Sequence, residues 1–325
     1  MKLIQTLAVA TLLVAPTGCG SDATAPKSSP SVKSPTSTAT ADDGFAPLAA
    51  GATRVKLTLD TFDLAPGGET YKCQNFANPF GADVAILQTQ STMSVGSHHL
   101  AAFRIAESAD GSLEDCSGLE FHPTIHAAQT PTAKTTFPDG VGAFMAGTEG
   151  IRLNAHYFNL TDDTVHAEVT VVFDYVAPEK VQFTAAQIYL NDSTLDIPPG
   201  QGSAGGTLAL PAGTGAIKLI STQSHMHRRA VAFEAKLDDG TMLYQTTTWN
   251  EPPVKTYAPP MDIAEGANVT WKCDYDNETT GDLVFGESAV TNEMCVLTGF
   301  YYPAPDGQMI VGDLLGGSKA ASLLK

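Results

Sequence analysis

Apolar residues recur at every second position along much of this chain. Val55, Leu57 and Leu59 form one such run; Ile151, Leu153, Ala155 and Tyr157 form another; Val165, Ala167, Val169, Val171 and Phe173 form a third. Side chains alternate across a strand, so period two predicts strands that bury one face. Turn clusters separate the runs: Pro66-Gly67-Gly68, Asp139-Gly140 and Asp239-Gly240 carry the residues that reverse a backbone at little steric cost. No long amphipathic helical stretch interrupts the pattern. The expected fold is therefore all-β, with the strand spacing of sandwiches or jelly rolls.

With 325 residues the chain is long enough for about two such domains. Met1-Lys2, the apolar run from Leu3 to Ala15 and then Pro16-Thr17-Gly18-Cys19 have the charged start, apolar middle and small-residue end of a signal peptide over residues 1–19. That run is too short to span a bilayer as a mature helix. Cys19, followed by Gly20-Ser21-Asp22, resembles the acceptor of a bacterial lipoprotein anchor, although Pro16 stands where that pattern prefers Leu. The expected location is the cell envelope, periplasmic or outer surface. Residues 20–50 are mostly Ser, Thr, Pro and Ala, a composition that buries too little apolar surface to order itself, so a disordered linker is expected. A first sandwich over 51–178 and a second over 179–316 follow, divided near Pro178-Glu179-Lys180, and 317–325 form a tail.

Eighteen Lys and Arg against 35 Asp and Glu leave a formal charge of -17. Nucleic acid and anionic membrane surfaces would be repelled, so membrane contact is expected only through the lipid. Of five cysteines, Cys19 is assigned to the anchor and four remain, which allow three pairings. The pairs local to each half, Cys73 with Cys116 and Cys273 with Cys295, are preferred and suit an oxidising compartment. There is no Cys-x-x-Cys, which removes thiol redox catalysis and the usual zinc knuckles. Gly-x-Ser-x-Gly and the nucleotide-binding glycine motifs are also absent, so hydrolase and nucleotide chemistry lack support.

Five of the eight histidines lie in three tight settings: His98-His99, His156 within Asn154-Ala155-His156-Tyr157, and His225-Met226-His227. Two residues apart on a strand, His225 and His227 project to the same face as a pair of nitrogen ligands. Imidazole alone does not choose among copper, zinc, iron and nickel. Each setting by itself is as compatible with packed or solvated histidines as with ligands. Met294, in Asn292-Glu293-Met294-Cys295, is ordinarily core filling. Beside a His-x-His pair its soft thioether becomes a candidate third ligand that favours copper, particularly the cuprous state. His122, His126 and His166 read as loop or surface residues, with an incidental His122–His126 metal contact as the alternative.

Taken in order, His98-His99, His156, His225-Met226-His227 and Glu293-Met294-Cys295 followed by Tyr301-Tyr302 resemble the copper type II, ascorbate-dependent monooxygenases. That family includes peptidylglycine alpha-hydroxylating and dopamine beta-monooxygenases. Lesser echoes are Tyr71-Lys72-Cys73, Ile197-Pro198-Pro199-Gly200 and Cys273-Asp274-Tyr275-Asp276-Asn277, so the likeness runs from Cys73 to Tyr302. The resemblance implies two tandem antiparallel jelly-roll-like sandwiches facing across a solvent-filled cleft. It implies two coppers, one held by His98, His99 and His156 and supplying an electron, the other held by His225, His227 and Met294 and reacting with dioxygen, with ascorbate or an equivalent as reductant. It also implies the disulfides Cys73–Cys116 and Cys273–Cys295.

Gln223, Val296 and Thr298 stand where the peptide-amidating branch has an Arg, an Asn and a Tyr that grip the substrate carboxylate. Glycine-extended peptides are thus not expected, and the substrate is left as a small-molecule or peptide-like compound. The alternative is a copper-binding or electron-transfer lipoprotein that turns nothing over.

Overall fold

The structure is a computed structural model that describes residues 44–106, 109–211 and 213–313, together with the backbone of 322–324. The signal peptide, Cys19, the linker up to residue 43 and most of the tail lie outside the described residues. Among those described, the regular elements are strands, apart from two short 3-10 turns at Pro178–Lys180 and Pro305–Gly307. The alternation in the sequence is the cause. Ile151, Leu153, Ala155 and Tyr157 of the strand Glu149–Phe158 all point into one core and are fully buried.

There are two such cores. Leu57, Ile86, Leu153, Val171 and Phe173 belong to the first; Ile188, Leu190, Trp271, Tyr275 and Tyr301 belong to the second. Each half closes its sandwich with a small sheet of its own. In the first half the strands Glu69–Phe76, Glu149–Phe158, Ser97–Ala106 and Thr124–Ala128 lie side by side; in the second, Gly200–Ala209, Asn268–Asn277, Ala230–Leu237 and Met242–Thr246 do. The opposite layer of both sandwiches is one continuous sheet of eleven strands. Its two parts join where Val141–Met145 pairs in parallel with Phe183–Asn191, Phe183 opposite Val141 and Ala185 opposite Ala143. The Pro178–Lys180 turn lies between the two sets of strands, and Ile220, Phe300 and Tyr302 of the second half help fill the first core. The sandwiches are tandem, as expected, and are joined edge to edge through that sheet.

The halves also repeat a detail. Asn159, just after the strand Glu149–Phe158, donates from its amide to Leu64 O (2.9 Å) and Asp163 O (2.8 Å) and accepts from Thr161. Asn277, at the end of Asn268–Asn277, donates to Ile197 O (2.8 Å) and Gly281 O (2.9 Å) and accepts from Thr279. The Asn-x-Thr triplets at these two places therefore build matching turns.

Docking begins earlier than the linker expected over 20–50 allows. The Ala46 amide donates to Gln90 Oε1 (2.8 Å) and the Ala49 amide to Asp174 Oδ2 (3.1 Å). Asp174 is fully buried in an ion pair with Arg54 at 2.6 Å, and its second oxygen takes further donors because a buried carboxylate is costly unless fully hydrogen-bonded. At the other end, Ser322–Leu324 pairs antiparallel with Met309–Gly312.

Both local disulfides form, Cys73–Cys116 across 43 residues and Cys273–Cys295 across 22. Loop-closure entropy makes the first worth about 4 kcal/mol and the second about 3 kcal/mol. Paired Cys→Ala substitutions should lower the urea midpoint by corresponding amounts, the first pair more. Equal midpoints for wild type and both variants would contradict this.

Candidate metal centre

His98 and His99 are neighbours on the strand Ser97–Ala106, so a regular strand would point them to opposite faces. The pairing with Glu149–Phe158 shifts here: His156 is opposite His99, but Tyr157 is opposite Ser97. His98 is the extra residue of a β-bulge, which re-aims its side chain. Gly96, with φ +88°, supplies the left-handed residue just before it. Both rings consequently face His156, with centroids 5.0 Å (His98) and 4.9 Å (His99) from it and 5.3 Å from each other.

His225 lies near the end of the strand Ile217–Met226 and His227 just past it. Their rings are 5.2 Å apart, while Met226 between them is buried in the second core. Met226 is opposite Cys295 in the neighbouring strand, so Met294, one residue before, arrives beside His227. It is 4 % exposed and lines a cavity together with His99 and His225. The residues of the second expected trio are thereby brought to one end of that strand pair.

The two groups are not spread across an open cleft. The His98 ring is 5.3 Å from His225 and 5.5 Å from His227, and His99 is 4.9 Å from His225. One nitrogen each of His98, His99 and His225 can meet within 4.8 Å, a trio drawn from both halves. A second-half loop causes the closure. Tyr71, stacked on His156 at 3.8 Å, donates its hydroxyl to Glu287 O (2.7 Å). Glu287 Oε2 accepts from Ser117 Oγ and the Gly118 amide, both at 2.7 Å. Ser288 Oγ and the Ala289 amide both donate to Glu69 at 2.6 Å.

Hydrogen bonding fixes which nitrogen of each ring is free. His156 Nε2 donates to Glu69 Oε1 (2.9 Å), His227 Nδ1 to Asn292 O (3.1 Å) and His225 Nδ1 to Gln129 Oε1 (2.6 Å). The buried nitrogens left without any partner are His156 Nδ1, His227 Nε2, His98 Nε2 and His99 Nδ1. For His156 and His227 the free atom is the one opposite the anchored N–H. Ring N–H held by a carboxylate, a backbone carbonyl or an amide, with the other nitrogen free, is how metal-ligating histidines are oriented. A buried polar atom without a partner costs about 1–3 kcal/mol, so four in one place would use up much of the ~5–15 kcal/mol stability of a domain. A cation bound by their lone pairs removes that cost. The donor set of five imidazoles and one thioether fits copper.

The electrostatics keep those lone pairs available. Burial first, and then the neighbouring imidazoles, push His98, His99 and His225 well below the usual histidine range, and burial takes His227 to about 3. His156 is lowered by burial, which outweighs the Glu69 hydrogen bond that works to raise it. Burial raises the Glu69 carboxyl, but hydrogen bonds from His156, Ser288 and Ala289 overcome it and leave it lowered. The rings are neutral and the anchoring carboxylate is charged, the states metal binding requires.

Glu69, Gln129 and Asn292 are the anchoring residues that sequence reasoning missed; as single polar residues far from the histidines in sequence, they carry no local signal. Gln129 also donates to Ser224 O at 2.7 Å, which fixes its amide with the oxygen toward His225. Replacing it with Leu frees the His225 ring and, where copper is held there, should weaken its binding by roughly 10–100-fold. Competition with a cuprous chelator should detect that loss; an unaltered affinity would contradict the role.

His166 is exposed and paired with Asp63, as a surface residue should be. His126 requires correction: it is fully buried, its Nδ1 bonded to Thr89 Oγ1 (2.7 Å) and Nε2 to Ser91 Oγ (2.8 Å). With both nitrogens engaged it has none for a metal shared with His122. His122 is half-buried and lines the cavity beside the candidate site.

No family model matches the chain, and no curated protein does. Among solved structures, PNGase F, a glycosylasparaginase from Flavobacterium meningosepticum, superimposes over 80% of this chain and 98% of its own at 9% identity with a TM-score of 0.37. That likeness is too loose to bear on the site.

Proposed function

We propose that this chain is a copper-dependent monooxygenase that hydroxylates a C–H bond of a small organic molecule, using dioxygen and a one-electron reductant such as ascorbate. His98, His99 and His156 would hold the electron-supplying ion, and His225, His227 and Met294 the one that reacts with dioxygen. Copper bound there would supply two electrons and a position for dioxygen, the reaction taking up two protons, placing one oxygen atom in the C–H bond and releasing the other as water. What supports the reading is the packing of five histidine rings from both halves of the chain, with neighbouring centroids 4.9 to 5.5 Å apart and four of the rings each keeping a buried, unpartnered nitrogen.

The protein's own contribution is positioning and exclusion of water. Glu69, Asn292 and Gln129 hold three rings by one nitrogen each. The Glu287–Ala289 loop shuts bulk solvent away from His156 through Tyr71 and Glu69. The cavity that opens on His99, His225 and Met294 leaves those three side chains reachable by a substrate. Export and anchoring through Cys19 belong to the same proposal and agree with the two disulfides.

Oxygen uptake separates an enzyme from a copper carrier. Copper-loaded protein supplied with ascorbate and no substrate should consume oxygen slowly, and a copper chelator should stop it. Copper that binds without any uptake above the ascorbate blank would mark a carrier instead.

A further inference from the structure

The cavity beside His225 and Met294 is long and narrow. His99, Ala101 and Phe103 of the strand Ser97–Ala106 all line it, because residues two apart share a face. The next strand continues that wall, with Ala127 lining the space directly opposite Ala101. The facing wall belongs to the second half. Met294 and Thr298 line it along the start of Cys295–Tyr302, and Val311 stands beside Tyr189. Both walls are the faces turned away from the cores, since Leu100 and Ala102 fill the first core and Ile188, Leu297 and Ile310 the second. His99 to Phe103, like Met294 to Thr298, is about 13 Å of strand at ~3.3 Å per residue. His99, His225 and Met294 stand at one end; Phe103 and the His122 ring, 5.7 Å apart, stand at the other. A space of about 110 Å³ drawn out over that length is slender.

Its walls offer nothing to a charge. No lysine or arginine lines it, and its one carboxylate, Glu120, is held by Arg152 through contacts of 2.6 and 2.9 Å. The Gln129 amide is spent at both ends, on Ser224 O and His225 Nδ1, and Thr298 Oγ1 accepts from Gln187. The unpartnered His99 nitrogen belongs to the candidate metal centre. An ion entering here loses its hydration and gains no counter-charge, whereas each methylene taken out of water gains about fourfold in affinity.

We infer that this cavity takes a slender, uncharged molecule with an unbranched apolar chain, laid lengthwise so that one end reaches His225 and Met294, and that Ala101 and Ala127 set its width. Both alanines are half-buried and sit side by side at mid-length, so a larger side chain at either would divide the slot. The inference rests on the copper reading only for which end of the molecule reacts; the selection by shape and charge is a property of the walls.

Isothermal titration calorimetry of the full chain, as purified, with n-hexanol, n-heptanol, n-octanol, octanoate, octylammonium and the caged alcohol adamantanol at pH 8 tests this. Each methylene from hexanol to octanol should tighten binding about fourfold. Octanol should bind at least tenfold more tightly than octanoate, octylammonium or adamantanol. Ala101→Leu and Ala127→Leu should each weaken octanol binding tenfold or more, with circular dichroism confirming that the variants fold; were neither to fold, the series on the unaltered chain still decides. Affinity that does not rise with chain length, octanoate or adamantanol binding as tightly as octanol, octanol binding indifferent to both substitutions in folded protein, or no binding of any alcohol would overturn the inference. The titration needs no copper, so a failure here is distinct from a failure of metal loading or oxygen uptake.

Discussion

A Met294→Ile protein is expected to lose oxygen consumption by about 100-fold or more while keeping the copper bound by His98, His99 and His156. Ile and Met are close in volume, and such swaps in a core usually cost under about 1.5 kcal/mol, so the fold should survive. What disappears is the sulfur. Met294 is held in place by its position before Cys295, whose disulfide to Cys273 and pairing with Met226 fix the backbone. Its carbonyl also accepts the Tyr275 hydroxyl at 2.9 Å. The thioether favours the cuprous state, and removing it alone should cut copper content to about half and turnover to background. Were Met294 mere core filling, Ile would change neither number. Unaltered uptake in this variant would end its assignment as a ligand.

Mild acid is expected to unfold the metal-free protein. In the unfolded chain each histidine titrates near 6.5. Folded, His98, His99, His156 and His225 are lowered by burial before any other cause, His227 is taken to about 3, and His126 to about 4. Between pH 6.5 and those folded values the unfolded state binds more protons, so stability is complete above about pH 7 and is lost as pH falls through that window. Glu293, raised to about 7 by burial, binds a proton in the folded state over part of the same range and offsets one of them. Glu69 is lowered, so its contribution is lost only further down, below the ordinary carboxylate value. Three protons taken up in step already cost about 4 kcal/mol per pH unit, against a total margin of ~5–15 kcal/mol. Circular dichroism of the metal-free chain should show a steep transition with its midpoint above pH 5. Copper, if the folded site holds it as proposed and binds it more tightly than the unfolded chain does, should move that midpoint lower. A metal-free fold intact at pH 4 would contradict the buried, neutral histidine cluster.

Much of the fold was legible because strand alternation is a local property. Ile151 to Tyr157 announced both a strand and its apolar face. What the alternation could not show is that the opposite face, with Asn154 and His156, is buried too, since that depends on a loop more than 130 positions away. His98 and His99 were found as a dipeptide, but their convergence depends on a register shift opposite Tyr157, which exists only once two strands pair. The open cleft failed for a related reason: the contacts of Glu287, Ser288 and Ala289 with Tyr71, Ser117 and Glu69 are unrelated in sequence. His126 was misjudged because the partners of its ring lie 37 and 35 positions away in sequence. Those partners are Thr89 and Ser91, buried on the strand Val84–Met93 and bonded to the two ring nitrogens.

The central claim is that five imidazoles and one thioether are arranged to hold redox-active copper. It is met most directly by metal analysis of the purified chain after exposure to equal copper and zinc, followed by removal of unbound metal. The account expects about two coppers per chain and little zinc, falling to about one copper in Met294→Ile. A firm value of one copper in the unaltered chain, or zinc retained in preference, would contradict it.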